Sequence, residues 1–371
     1  MKSLGYYYSA ISLSLQQLIA ESRDQRLRRK IVVFESDDWG AIRVPSSEVH
    51  DLLIAEGYNL DVRPYEHLDG LECDNDVEVL AQMLGSFTDT SGHHPQLTLN
   101  YLSANPDFEK IKEANFKEYH WEAIEDTYAR YKSSGNVINL VKDGIKNGVF
   151  DVQFHGREHF DIPMWLRALQ AGDNDILTAF SHGMCGIFPK DNPSHGNKYM
   201  VALKADDAFT RKAIEEGISE FSRIWGRRPG SFIAPCYTWH ENLEHTLAKN
   251  GIRVIQTSRF QRIPNSSRRI AHYTGQQNSY NLIYTVRNCS FEPATSKLTE
   301  KELVAYTMTE IRKAFHSGIP AIISSHRINY TSRLSAKNAE RGRNLLSELF
   351  KTILTEFPDA EFCTGSDLYK K

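Results

Sequence analysis

Short β-branched runs recur along the chain, separated by longer stretches whose apolar residues return at helical spacing. The runs at 31–35, 97–101, 150–154, 231–234, 253–256, 282–286 and 319–324 read as strands. Helical patterns fill 46–56, 76–87, 107–132, 137–147, 162–171, 206–225, 240–250, 300–316 and 336–356. Start signals fit several of these: Ser46 ahead of Val49, Thr299 three residues before Glu302, and the pair Asp206-Asp207 ahead of 208. Gly251 after Asn250 is a stop signal. Strand and helix alternating in this way form βα units around a parallel sheet, and seven strands approach a full ring. The expected fold class is therefore α/β, a distorted (β/α)7-8 barrel.

Two stretches break the rhythm. Residues 57–74 are polar and irregular, and 181–198 read SHGMCGIFPKDNPSHGNK, rich in Gly, Pro and Asn. In a barrel such loops sit at the C-terminal face, either shaping a substrate entrance or simply covering surface. No repeat and no Pro- or Ser-rich linker divides the chain. The reading is one barrel domain over 31–371, with insertions chiefly at 57–97 and 181–198, preceded by a helical extension over 1–30. In that extension Ile11, Leu15, Leu18, Ile19 and Leu27 lie near helical spacing, followed by Arg28, Arg29 and Lys30. This predicts an amphipathic helix packed on the barrel rather than one lying on a membrane.

Charge removes one class of partner. The 44 Lys+Arg against 47 Asp+Glu give a net charge of -3 with no long basic block, so no nucleic-acid partner is expected. The five cysteines, Cys73, Cys185, Cys236, Cys289 and Cys363, have no close pairs, which argues against a disulfide framework or a CxxC site and for a reducing compartment. No segment approaches the roughly 18 apolar residues of a spanning helix, and the first residues lack a signal-peptide pattern, so stable membrane insertion is not expected and a cytoplasmic protein is. Oligomeric state is not legible.

The chemistry lies at strand ends. The run IVVFE leads into Ser36-Asp37-Asp38-Trp39-Gly40, where two adjacent carboxylates at the end of an apolar strand require a pair or a metal unless they sit in a solvated turn. The run FDVQF leads into His155-Gly156-Arg157-Glu158-His159, and two histidines four apart can face one cation from a single turn. Spacing alone is weak evidence, because 14 histidines in 371 residues give roughly 0.5 such pairs by chance. Position strengthens it, since all strand C-termini of a barrel open on one face. Two further strand ends lead into Pro235-Cys236-Tyr237-Thr238-Trp239-His240 and into His326-Arg327. Asn100, on the second strand, either faces the same site or forms a turn.

With these motifs, from about Ile31 to about Asn329, the sequence resembles the polysaccharide deacetylase superfamily, the carbohydrate esterases of family 4. The resemblance implies a metal-dependent hydrolase removing an acetyl group from an acetylated, chiefly N-acetylated, sugar or glycan. It implies Asp38, His155 and His159 as metal ligands, usually for Zn2+, with Co2+, Ni2+ or Mn2+ as substitutes. It implies Asp37 as catalytic base, His326 as general acid, and a backbone N–H of the Pro235–Tyr237 turn as oxyanion donor. Trp39, Arg43, Arg157, Cys236, Tyr237 and Trp239 are the candidate substrate contacts, with Trp165 a further aromatic candidate; for Trp165, Tyr237 and Trp239 core or lid packing is the alternative.

This chain departs from the family pattern at several points. A Trp stands at position 39 where Gly is common, Ser324-Ser325-His326 replaces the usual Leu-x-His, and Val254 to Arg262 lacks the family's Asp and Trp motif. The Arg expected two residues before Pro235, which orients the catalytic Asp, is replaced by Ile233, leaving Arg43, Arg157 or another cation to substitute. Two other readings follow: a catalytically silent carbohydrate-binding relative, or a metal-dependent amidase acting on a non-carbohydrate C–N bond. For a cytoplasmic enzyme, a small or lipid-linked glycan intermediate is the expected substrate.

Overall fold

The computed structural model describes residues 4–190 and 199–369, with the side chains of 4–11 excepted. Nine strands form the main sheet: β1 (Lys30–Trp39), β2 (Leu97–Tyr101), β3 (Phe150–Phe154), β4 (Ser231–Ile233), β5 (Val254–Thr257), β6 (Ile283–Val286), β7 (Cys289–Ser290), β8 (Ala321–His326) and β9 (Ala360–Phe362). Their order is β6-β5-β4-β3-β2-β1-β8-β7, with β9 joining β1, and every pairing is parallel. All seven expected strands form. Residues 31 to 39 of β1 are buried throughout, as a parallel strand covered on both faces must be.

The edges of this curled sheet meet through two consecutive residues. The Arg287 N–H donates to the Thr257 carbonyl of β5 at 2.8 Å, whereas the next residue, Asn288, donates to Ile322 of β8 at 3.0 Å and accepts from its N–H. The chain thus crosses from one sheet edge to the other at 287–288, closing an α/β barrel of distorted form. β7 and β9 carry two and three residues, Cys-Ser and Ala-Glu-Phe, and neither forms an apolar run that the sequence pattern could show.

The flanking helices pack an apolar stripe on the sheet. The Glu300–His316 helix buries Leu303, Met308 and Ile311, and the Ala336–Glu356 helix buries Leu346, Leu349, Phe350 and Ile353. Ser46, Asp207 and Thr299 cap their helices as expected, Thr299 with a reciprocal bond to Glu302.

The expected helix over 107–132 is instead two short helices, Phe108–Glu113 and Ile124–Arg130. Asn115 and Phe116 adopt positive φ between them, and Trp121–Ala123 pairs as a strand with Ala104–Pro106. The first helix runs Leu4–Arg23, earlier than the pattern placed it. Of its described side chains only Ala20 is buried, and Leu15, Leu18 and Ile19 are exposed. Its attachment is polar: Asp24, just past its end, pairs with Arg259 at 2.7 Å. Among the described residues no helix is long and apolar enough to cross a membrane, and all five cysteines are free thiols.

The C-terminal face is roofed by two satellite clusters. Phe160, Trp165, Leu169 and Phe180 form one, and Val44, Leu53, Tyr58, Leu60 and Met184 form the other. The irregular 57–74 stretch contains a short helix, Pro64–Leu68. It is tied to the barrel by the fully buried Arg327, which bonds Asp69 at 3.0 Å and Glu72 at 2.8 Å. Of the 181–198 loop, residues 191–198, His195 among them, lie outside the described residues.

Candidate active site

In a regular strand Asp37 and Asp38 would point to opposite faces. β1 avoids this with a bulge: Ser36 pairs with Leu99 and Trp39 with Tyr101, so two residues of β1 oppose Asn100 alone. Asp38 takes φ of 74° there, a left-handed conformation costing about 1–2 kcal/mol for a residue with a Cβ. Both carboxylates then reach the same mouth.

Asp38 meets the two histidines of the third strand end. Its Oδ1 lies 3.3 Å from His155 Nε2 and 3.3 Å from His159 Nε2, and all three residues are buried. Tetrahedral coordination with metal–nitrogen bonds of about 2.0–2.1 Å sets ligand edges near 3.3 Å, so the spacing suits a divalent cation. The His155 Nδ1–H donates to the Ile233 carbonyl at 3.0 Å, leaving the Nε2 lone pair toward Asp38. Burial pushes His159 down to about 3 against the attraction of Asp38, so its imidazole is neutral, as a ligand must be. The donor set fits a metal ion.

Asp37 is held by a different set. Two parallel contacts of 2.7 Å join its oxygens to Arg287 Nη1 and Nη2, and Asn100 Nδ2 donates to Oδ1 at 2.8 Å. Arg287 Nε also bonds Glu35 at 2.8 Å, and its remaining contacts are Gln256 and the hydroxyls of Tyr237 and Ser324. Burial alone would raise Asp37, but Arg287 more than offsets it and the carboxyl sits at about 2. Glu35, deeper along β1, is pushed up by burial to about 7 despite the same guanidinium.

His326 stands opposite Asp37 in the β1–β8 ladder, its Nε2 3.9 Å from Asp37 Oδ2. Its Nδ1 bonds Glu292 at 2.7 Å, and Glu292 is held by Asn329 at 2.9 Å. Burial opposes charge on the ring, yet Glu292 and Asp37 outweigh it and raise His326 to about 10. The imidazole is therefore protonated at neutral pH.

The expected substrate contacts divide. Arg43, Cys236 and Tyr237 line a cavity of about 360 Å³ together with Asp37, Asp38, His155, His159 and His326. Arg43 reaches Asp38 at 3.3 Å and Asp69 at 3.4 Å. Trp39 and Trp239 do not line the cavity: both are fully buried, their indole N–H groups bound to Ser36 and Glu244. Trp165 is likewise core, within the Phe160 cluster. Arg157 is spent on Glu158 and Glu216 and lines a separate cavity. Neither Arg43 nor Arg157 orients Asp37.

Sequence reasoning missed Arg287 and Glu292. Arg287 directly follows an expected strand, 282–286, so the strand-end rule that selected Asp37 and His326 applied to it as well. Glu292 follows a two-residue strand and carried no signal.

No family model matches the chain, and no curated protein matches it. Among solved structures it is similar to a GH57-type branching enzyme from the archaeon Pyrococcus horikoshii, at 10% identity over 93% of this chain and 71% of that one, TM-score 0.48. It is also similar to the catalytic domain of peptidoglycan N-acetylglucosamine deacetylase from Eubacterium rectale, at 11% identity over 92% of each chain, TM-score 0.41. A third is 4-alpha-glucanotransferase from Thermococcus litoralis, at 10% identity and TM-score 0.44, where the match covers 92% of this chain but spans 40% of the glucanotransferase.

Proposed function

We propose that the protein is a metal-dependent hydrolase that removes an acetyl group from an N-acetylated sugar or glycan intermediate. The observation that supports this best is the meeting, at one mouth, of a buried Asp-His-His set with an ionised carboxylate and a protonated imidazole. Asp38, His155 and His159 would hold the ion, Zn2+ being the natural choice for two imidazoles and one carboxylate. A cation bound there supplies Lewis-acid polarisation of the acyl carbonyl and acidifies a water.

The remaining roles fall to this chain's own groups. Asp37, ionised and fixed by Arg287, accepts the proton of the attacking water through Oδ2, whose outer side faces His326. His326, charged and fixed by Glu292, gives a proton to the departing amine, which leaves poorly without one. In the turn after β4, Pro235 has no N–H and that of Tyr237 is bound to Ala234, so the Cys236 N–H is the donor left for a developing oxyanion. Cys236 and Tyr237 both hold positive φ, the strained geometry such a turn demands.

The silent-relative reading rested on the Arg missing at position 233. Arg287 supplies a guanidinium to Asp37 from the end of another strand, β6, which supports catalysis over silence. Ala41, Ile42, Val44, Leu102, Phe160 and Phe188 give the cavity apolar walls, which favours a compact substrate over a polymer lying in an open groove. Acetate release by the zinc-loaded protein from N-acetylated amino sugars, lost with a chelator and restored by Zn2+, is the expected result. Hydrolysis confined to non-sugar amides would move the reading to an amidase, and no hydrolysis of either class would overturn it.

A further inference from the structure

A second cluster of metal-type donors lies outside this mouth. His50 is carried by the Ser47–Ala55 helix, Asp61 by the following turn, and His67 by the Pro64–Leu68 helix. Three atoms converge: His50 Nε2 and His67 Nδ1 are 3.3 Å apart, and Asp61 Oδ1 is 3.3 Å from the first and 2.9 Å from the second. Two imidazole nitrogens and a carboxylate oxygen thus converge on one point, with the donor types and close spacing that can hold a divalent cation. A cation at the centre of the triangle satisfies all three. Two of the three edges match the roughly 3.3 Å expected for tetrahedral zinc ligands and the two Asp38–histidine distances of the first site, and the third is shorter at 2.9 Å. His50 also has an outer partner, its Nδ1 lying 3.2 Å from Asp51 Oδ1, the carboxylate–histidine arrangement that orients a ligand imidazole.

We propose that His50, Asp61 and His67 form a second divalent-cation site, selective for zinc-like ions, that clips the 57–68 segment to the preceding helix. Asp61 and His67 are substantially exposed, so water completes the coordination and the ion exchanges with solvent. Its occupancy then follows metal supply. The clip bears on the cleft, because the same short helix carries Tyr65 and Glu66 into the cavity wall. Tyr65 meets the His326 ring edge-on at 5.7 Å. The proposal stands whether or not the first site hydrolyses anything.

Zinc titration of a His155→Ala/His159→Ala protein, whose first site is disabled, should show one equivalent bound and slowed amide hydrogen exchange over 57–68. Adding His50→Ala and His67→Ala should weaken that binding at least 100-fold. Asp51→Asn, at an exposed side chain that does not touch the ion, should weaken it about tenfold. If the first-site variant does not fold, wild-type protein should bind two equivalents and His50→Ala/His67→Ala protein one. No zinc bound by the first-site variant, or stoichiometry and affinity unchanged by removing His50 and His67, overturns the site.

Discussion

Arg287 and Asp37 are 250 residues apart in sequence and joined by two parallel N–H···O contacts of 2.7 Å, in a site buried from solvent. The pair exists because the barrel closes at 287–288, which places the residue after β6 beside the end of β1. Arg287 also faces Glu35, so one guanidinium balances two buried carboxyls. Removing one partner of such a set leaves uncompensated buried charge, at a cost of about 3–5 kcal/mol. Arg287→Met should lose about that much stability in urea unfolding. Arg287→Lys should recover part of it while turnover stays low, because a point charge cannot hold both oxygens of Asp37 in place.

Asp37 and Asp38 are neighbours with separable roles. Asp38→Ala, His155→Ala and His159→Ala should each lose the tightly bound ion of the first site, measured by metal analysis after dialysis. Asp37→Asn should retain it and lose turnover by about 10²–10⁴-fold. An Asp37→Asn protein with full activity would remove Asp37 from the proton-transfer step.

The His326–Glu292 contact sets the alkaline side of the pH profile. With His326 raised to about 10, the protonated acid persists through neutral pH and is lost as pH rises through that value. The stabilisation from this raised pKa is fully present below the ordinary imidazole value and fades toward about 10. Glu292→Gln keeps the hydrogen-bonding shape and removes the charge, so the alkaline limb of kcat should move to lower pH. An unmoved limb would separate Glu292 from proton delivery.

Gly342 lies where the Ala336–Glu356 helix presses on the loop after β8. A Cβ there would sit 1.7 Å from the Asn329 carbonyl oxygen, backbone that cannot simply rotate away. Gly342→Ala should destabilise by about 1–3 kcal/mol, the range of overpacking. Since Asn329 also holds Glu292, the same variant should lower kcat more than it raises KM.

Trp239 tests the distinction between core and cleft. Trp239→Leu should cost about 3 kcal/mol or more in thermal or urea unfolding, as loss of a large buried ring does. KM for a sugar substrate should stay close to wild type, because the indole is fully buried with its N–H on Glu244.

The sequence by itself determined the periodic elements and their polar ends. Seven apolar runs of short period became seven parallel strands, and Asp37, Asp38, His155, His159 and His326 were legible because strand C-termini in such a sheet share one face. What it left open depended on long-range geometry. A tryptophan reads the same whether its ring faces a cleft or the core, so Trp39, Trp165 and Trp239 stand as candidates for either in the sequence, and packing buries all three. The partner of Asp37 was decided by barrel closure, a relationship between residues 250 apart that no local pattern encodes. Asp38 reaches the site only through a bulge with positive φ, a strain that neighbouring strands impose and hold. Local patterning fixes which residues end strands. Tertiary packing fixes which of them meet, because contact and burial depend on how the whole sheet curls.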